Sequence, residues 1–205
     1  MYVRDAKNRE EVWLLDHIEA MGLDDTAFRS RDYVVAVDEE AGSKAGFGRI
    51  RVHVAGDGER TQSGRRDPDD EDVCELTSIG VLDGWEGQGV GAHIIERLVE
   101  YASDAGFGRV HALTDEGGYL AQFGFDAIDA DDLPPLLQER LTEKRESTTP
   151  EARPMRLDVD EFDVPDRFRE RFKNAGEEES TEAEETPEDF GIDPEKATYK
   201  YDTGR

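Results

Sequence analysis

The sequence predicts an α/β domain built on a mixed, partly parallel central sheet flanked by helices. Three observations predict it. Short β-prone runs alternate with amphipathic helical runs from residue 2 to about 159. One of those strands leads directly into a loop with glycines at 87, 89 and 91, and the loop opens a helix with a clear apolar side. Beyond Val164 large apolar residues become scarce, which marks an acidic C-terminal extension. The expected organisation is one domain over 1–165 and a largely disordered extension over 166–205.

Each element has its own reason. Tyr2-Val3 is β-prone. Asn8 is placed to cap a helix, with Glu11 at capping-box spacing, and Val12, Leu14, Leu15, Ile18 and Met21 recur at helical intervals. A helix over 9–21 follows, stopped by Gly22. Tyr33–Val37 is continuously apolar and reads as a buried strand, and 38–44 is a polar turn. From Phe47 to Val54 the pattern alternates, with Ile50, Val52 and Val54 on one face and Arg49, Arg51 and His53 on the other. That predicts a half-exposed strand with its arginines outward. Residues 55–72 hold almost nothing apolar and read as a mobile loop. Val73–Leu82 is a strand. The helix after the glycine loop presents Ile94, Ile95, Leu98, Val99 and Ala102 and stops at Gly106. Arg109–Leu113 is a strand, 117–124 a short helix closed by glycine, and 125–128 a strand. Leu133–Arg145 is helical with Pro134 early, and 154–159 is a last strand. Arg167–Lys173 is a short charged helix. Residues 175–189 are rich in Glu, Ser and Thr and are expected to be disordered, and aromatics return at 190–201.

Charge excludes several function classes. The 205 residues carry 51 acids and 25 bases, a net of −26, and lysine supplies only 6 of the bases. Residues 1–165 alone hold 38 acids and 18 bases, so the acidity belongs to the body as well as the tail. A basic-patch nucleic-acid binder is excluded, and docking on anionic membranes is disfavoured. No apolar run is long enough to span a bilayer, and the N-terminus has no apolar signal region. The expectation is a cytoplasmic protein. Body-wide acidity with scarce lysine resembles proteins of extreme halophiles, in which molar salt screens the self-repulsion. His17, His53, His93 and His111 lack metal-ligand spacing and the single Cys74 has no partner, so no metal site is expected.

The strand–loop–helix unit is the most informative segment. Glycines let a backbone approach an anion closely, and the free N–H groups at a helix N-terminus hold negative charge. No Gly-Lys-Ser/Thr follows, so it is not a Walker loop, and the glycine spacing misses the dinucleotide G-x-G-x-x-G.

The run Glu86-Gly87-Gln88-Gly89-Val90-Gly91-Ala92 resembles the acetyl-CoA loop of the GNAT family of N-acetyltransferases, whose pattern is Q/R-x-x-G-x-G/A. The first position departs from it, Glu86 standing where the family carries Gln or Arg. Glu75–Val81 is similar to the family's fourth strand, and Leu120-Ala121-Gln122-Phe123-Gly124-Phe125 to its run ending in Gly-Phe. The resemblance covers roughly 1–130. It implies the GNAT acyltransferase fold, acetyl-CoA as co-substrate, and direct attack of an amine on the thioester. It implies cofactor contacts at Ile79 and Val81 of the strand and at Glu86, Gly87, Gln88, Gly89, Val90, Gly91 and Ala92 of the loop.

Within that frame Glu75 takes the place of a strand carboxylate acting as base, alone or through water. Burial near an apolar cleft would raise its pKa. Alternation places Glu75, Thr77 and Ile79 on one face unless a bulge intervenes. The family's tyrosine acid has its counterpart at Leu120, with Tyr119 one residue earlier and about 100° round the helix; Tyr119 is the candidate acid. His111 and Cys74 read as packing residues and Trp85 as the base of the loop. Ala112–Asp115, Phe123–Phe125 and Asp132–Pro134 carry a diffuse similarity to the N-acetylglutamate synthase-type amino-acid acetyltransferases. The acceptor is thus expected to be an amino acid or small amine first, and a protein lysine or N-terminus second. A homodimer is compatible with the family. The alternative is a non-catalytic acyl-CoA-binding or protein-interaction module.

Overall fold

A computed structural model describes residues 1–55 and 71–176. The expected loop over 55–72 and the extension beyond 176 lie almost wholly outside the described residues. The compact unit runs from Met1 to Ala175.

Seven strands form one sheet: β1 (Tyr2–Asp5), β2 (Tyr33–Val37), β3 (Lys44–His53), β4 (Val73–Val81), β5 (Arg109–Thr114), β6 (Asp126–Ala127) and β7 (Arg153–Asp158). Their order is β1-β2-β3-β4-β5-β7-β6. Every pairing is antiparallel except β4 with β5, which run parallel. The mixed sheet expected from the alternating pattern is therefore present, with its one parallel pair at the centre. Parallel neighbours need a crossover, and α2 (Val90–Asp104) supplies it.

The helices divide between the two faces. α2 buries Ile94, Ile95, Leu98 and Val99 against Val34, Ala36, Cys74, Leu76, Val110 and Ala112, the alternate positions of three strands. Each of those large aliphatic side chains contributes roughly 1.5–3 kcal/mol by leaving water. On the other face α1 (Glu11–Ala20) packs Leu14 and Ile18 on Tyr33, Val35, Val37 and Phe47, and α4 (Pro135–Ser147) packs Leu137 and Leu141 on Val73 and Leu113. α3 (Gly117–Leu120) is a single turn beside the α2 face, and α5 (Asp166–Lys173) follows β7. No helix among the described residues is long and apolar enough to cross a membrane.

Three expectations are corrected. The capping box sits one residue earlier: Glu10, not Glu11, accepts the backbone N–H of Lys7 at 2.8 Å. On β3 the burial departs from the expected sides: Arg49 is 1% exposed and Val52 and Val54 are 44% and 71% exposed, while Ile50 still packs on the α2 core. Arg49 turns inward because polar partners meet it there, the Thr26 and Ala27 carbonyls and the Asp32 carboxylate. The body also reaches ten residues past 165, since α5 packs Phe168 and Phe172 on the α2 core.

Candidate active site

β4 and β5 are paired at Glu75–His111 and Leu76–Ala112 and then part. A bulge in β4 lies at the parting. Arg49 of β3 faces Thr77 and Phe47 faces Gly80, so Gly48 spans both Ser78 and Ile79. Ser78 takes φ 49°, uncommon for a residue with a Cβ, and its hydroxyl donates to the Asp24 carbonyl at 2.6 Å. The extra residue breaks the alternation. Glu75 and Thr77 stay on the α4 side, while Ile79 packs with the α2 core. The three expected to share a face do not.

The gap between the strands is a cavity of about 450 Å³ that is lined from both faces of the sheet. From the α2 side come Ile79, Val81, Trp85, the loop residues Glu86, Gly87, Gly89, Val90 and Gly91, and Tyr119. From the opposite side come Leu23, Asp24, Thr77, Lys144 and Thr149. Of the residues assigned to the cofactor by resemblance, Gln88 and Ala92 do not line the cavity. The Gln88 amide instead donates to the Gly84 carbonyl at 2.7 Å, and the Ala92 methyl is fully buried in the core.

The loop side is built from backbone. The first N–H groups of α2 have no acceptor within the helix, and its first helical bond is from His93 to the Gly89 carbonyl at 3.2 Å. Gly89 takes φ 79°, and a Cβ there would strike the Phe168 carbonyl oxygen. At Gly91 a Cβ would lie 3.0 Å from the Tyr119 hydroxyl oxygen and 3.4 Å from Val81. A larger residue would close the cavity where free amides and the phenol converge. Burial raises the Tyr119 pKa, so the phenol is held protonated and can donate. Leu120, at the family's tyrosine position, is 6% exposed and also lines the cavity.

The opposite side is built from buried ionic side chains. Asp24 accepts from the Thr26 backbone and hydroxyl and is in close contact with Arg140. Arg49 donates to the Thr26 and Ala27 carbonyls at 2.8 and 2.6 Å and lies 3.7 Å from Asp32. The carboxylate of Glu75, 0% exposed, is 2.8 Å from His53 Nε2 and 3.7 Å from Arg140 Nε, and does not line the cavity. Burial pushes its pKa up, but the His53 hydrogen bond and the charges of Lys144 and Arg140 outweigh that and leave it lowered. This is opposite to the raised value expected from burial alone.

Lys144 does line the cavity. It is 8% exposed, and its Nζ lies 3.5 Å from the Thr77 hydroxyl. Among the described residues no carboxylate is within ion-pair distance of it. Burial lowers its pKa. Sequence reading missed this group. The available signal was the spacing Leu137, Arg140, Leu141, Lys144, an inward stripe of α4 that is half basic.

The remaining residues of interest lie off the site. Burial pushes the Cys74 thiol up to about 12, so it is an inert apolar contact. His111 is 5% exposed, and burial lowers its pKa to about 4.

Residues 3–125 match the model of the acetyltransferase (GNAT) family. No curated protein matches the chain by sequence. Solved structures share its fold. N-acetylglutamate synthase from Neisseria gonorrhoeae, complexed with coenzyme A and N-acetyl-glutamate, aligns at 15% identity and TM-score 0.56 over 77% of this chain and 34% of its own. The chain thus spans about a third of that enzyme. A Mycobacterium tuberculosis protein crystallised with CoA and NLQ aligns at 18% identity and TM-score 0.57, over 77% of this chain and 98% of its own. Naa20 of Chaetomium thermophilum, in complex with a bisubstrate analogue, aligns at 14% identity and TM-score 0.51 over 78% and 88%. The solved structures share the fold, and the family model covers more than half of the chain, so the chain belongs to the GNAT family: it is an N-acetyltransferase that draws its acetyl group from acetyl-CoA.

Proposed function

We propose that the acceptor is a free amino acid or a related small amine carrying a carboxylate, and that the acetyl group passes by direct attack. One observation carries this reading. Lys144 places a cation on the cavity wall, on the side of the sheet opposite the cofactor loop, with no carboxylate of its own. Asp24 is committed to Arg140 and Thr26, so an acceptor carboxylate is the partner that Lys144 lacks. An ion pair formed in so buried a place is barely screened by salt. A net charge of −26 taken by itself favours cationic acceptors; this local charge supports the other choice.

In the reaction the neutral amine attacks the thioester carbon, a C–N bond forms and the C–S bond breaks. The ammonium must first lose a proton, since its nitrogen has no free electron pair. Glu75 is the base in this reading. Its carboxylate lies off the cavity wall, so it takes the ammonium proton through water, while Lys144 keeps its charge for the acceptor carboxylate. Tyr119, protonated and above the first turn of α2, returns a proton to the departing thiolate.

The test is thiol release from acetyl-CoA at molar KCl with amino acids and with the matching decarboxylated amines. The reading expects turnover with amino acids and about 10- to 100-fold less kcat/KM with the amines, the worth of one charge-assisted contact. Equal rates with both would remove the carboxylate. Turnover only with peptide lysines or N-termini would move the acceptor to protein.

A further inference from the structure

The cofactor is an anion, yet the cavity wall around its loop carries carboxylates. Glu86, Asp115 and Glu116 line it, and the loop from 86 to 92 contains no cation. The chain as a whole bears −26. Backbone amides alone would have to hold a diphosphate against that field.

α5 changes the balance. It lies outside the segment matched to the family, and its eight residues carry Arg167, Arg169, Arg171 and Lys173 against Asp166 and Glu170. Its placement is tightly set. Phe168 is buried in the α2 core, and its carbonyl oxygen touches Gly89 of the loop. Phe172 stacks flat on His93 of the first α2 turn, with ring centroids 3.8 Å apart and planes 7° from parallel.

Three of the four cations are engaged elsewhere. Arg169 pairs with Glu96 at 2.8 Å, Lys173 with Glu170 at 2.9 Å, and Arg167 donates to the Gln122 side chain at 2.6 Å. Arg171 is different. It lines the cavity, its Nη1 lies 3.4 Å from the Gly87 carbonyl oxygen, and no carboxylate among the described residues pairs with it. A guanidinium presents a fork of N–H donors that fits two phosphate oxygens at once.

We propose that Arg171 binds the diphosphate of acetyl-CoA, so that the C-terminal helix completes the cofactor site and supplies the cation that the loop lacks. The loop amides and Arg171 then approach the same group from two sides. Gly89 is needed both for its own backbone turn and for the close seat of α5.

The experiment is calorimetric binding of coenzyme A, dephospho-coenzyme A and pantetheine to the full chain, with Arg171→Gln beside Arg167→Gln. Losing a charge-assisted contact should weaken coenzyme A and dephospho-coenzyme A by about 10- to 100-fold in Arg171→Gln. Pantetheine, which has no phosphate, should bind both variants as it binds the wild type, and Arg167→Gln should bind all three normally. Arg171→Lys should recover part of the loss, as a point charge without the fork. Equal weakening of pantetheine would make Arg171 a structural residue and overturn the proposal. Undiminished coenzyme A binding by Arg171→Gln would do the same. Loss confined to coenzyme A, with dephospho-coenzyme A unaffected, would move the contact to the 3′-phosphate and overturn the diphosphate assignment. A wild type that binds no coenzyme A would refute the cofactor assignment itself along with the proposal.

Discussion

Two regions face each other through the gap between β4 and β5, and they are made of different material. The glycine loop works with backbone: unpaired amides of α2, a left-handed Gly89, and a Gly91 whose missing Cβ leaves room beneath the Tyr119 hydroxyl. The region under α4 works with side chains: Asp24, Glu75, Arg140 and Lys144, all under 9% exposed and drawn from three distant stretches of chain. Backbone recognition depends on local conformation and tolerates most side chains. Side-chain recognition in a buried place is interdependent, because removing one charge strands its neighbours. A loop of the first kind suits a cofactor that never changes. A cluster of the second kind suits an acceptor that must be chosen.

That contrast can be tested from its broadest effect downward. Salt should act on the exposed acidity and leave the buried cluster largely alone. Raising KCl from about 10 mM to about 1 M shrinks the Debye length from about 30 to about 3 Å. The unfolding midpoint should then rise by on the order of 10 °C, and a flat profile would remove the reading of the composition as halophilic. Glu75→Gln comes next. It leaves His53 and Arg140, both within ion-pair distance, without that anion, and breaking a buried pair costs about 3–5 kcal/mol. Denaturant unfolding should show that loss. If Glu75 is also the base, the rate near neutral pH falls about 10² to 10⁴-fold and recovers as pH rises toward the amine pKa. A loss of stability with an unchanged pH–rate profile would make Glu75 purely structural.

His111, register partner of Glu75, gives a smaller effect with a defined sign. Its folded pKa of about 4 lies below the unfolded 6.5. The unfolded chain therefore takes up the proton first, and stability is complete above pH 6.5 and lost as pH falls toward 4. Between pH 6.5 and 5 the loss should be about 2 kcal/mol, and His111→Gln should flatten that window. An unchanged slope would mean that another group titrates there. Smallest is Lys144→Met, which keeps the length of the side chain. It should raise KM for a carboxylate-bearing acceptor about tenfold or more and barely change KM for acetyl-CoA. The opposite split would place Lys144 with the cofactor.

The same contrast explains what could be read in the sequence. β2 at Tyr33–Val37, the glycine loop, and the apolar stripe of α2 were legible because each is a local pattern. The polar region was not. Alternation in β3 marked Arg49 and Arg51 as the outward face, because apolar residues normally point inward; here Arg49 meets the Thr26 and Ala27 carbonyls and the Asp32 carboxylate. The bulge at Ser78 has no glycine to announce it, so the strand looked continuous and Ile79 was assigned to the face of Glu75. Asp24 and Lys144 lie 120 residues apart in sequence, and only the folded sheet brings them to one cavity.

The division of labour is tested most directly by the melting-temperature increment that saturating coenzyme A gives to Gly91→Glu and to Lys144→Met. Gly91→Glu puts a charged side chain where the loop, Val81 and Tyr119 converge, so the increment should vanish while the fold persists. Lys144→Met alters only the far side of the sheet and should keep the wild-type increment. Undiminished stabilisation of Gly91→Glu, or its loss in Lys144→Met, would contradict the assignment of the loop to the cofactor and of the ionic region to the acceptor.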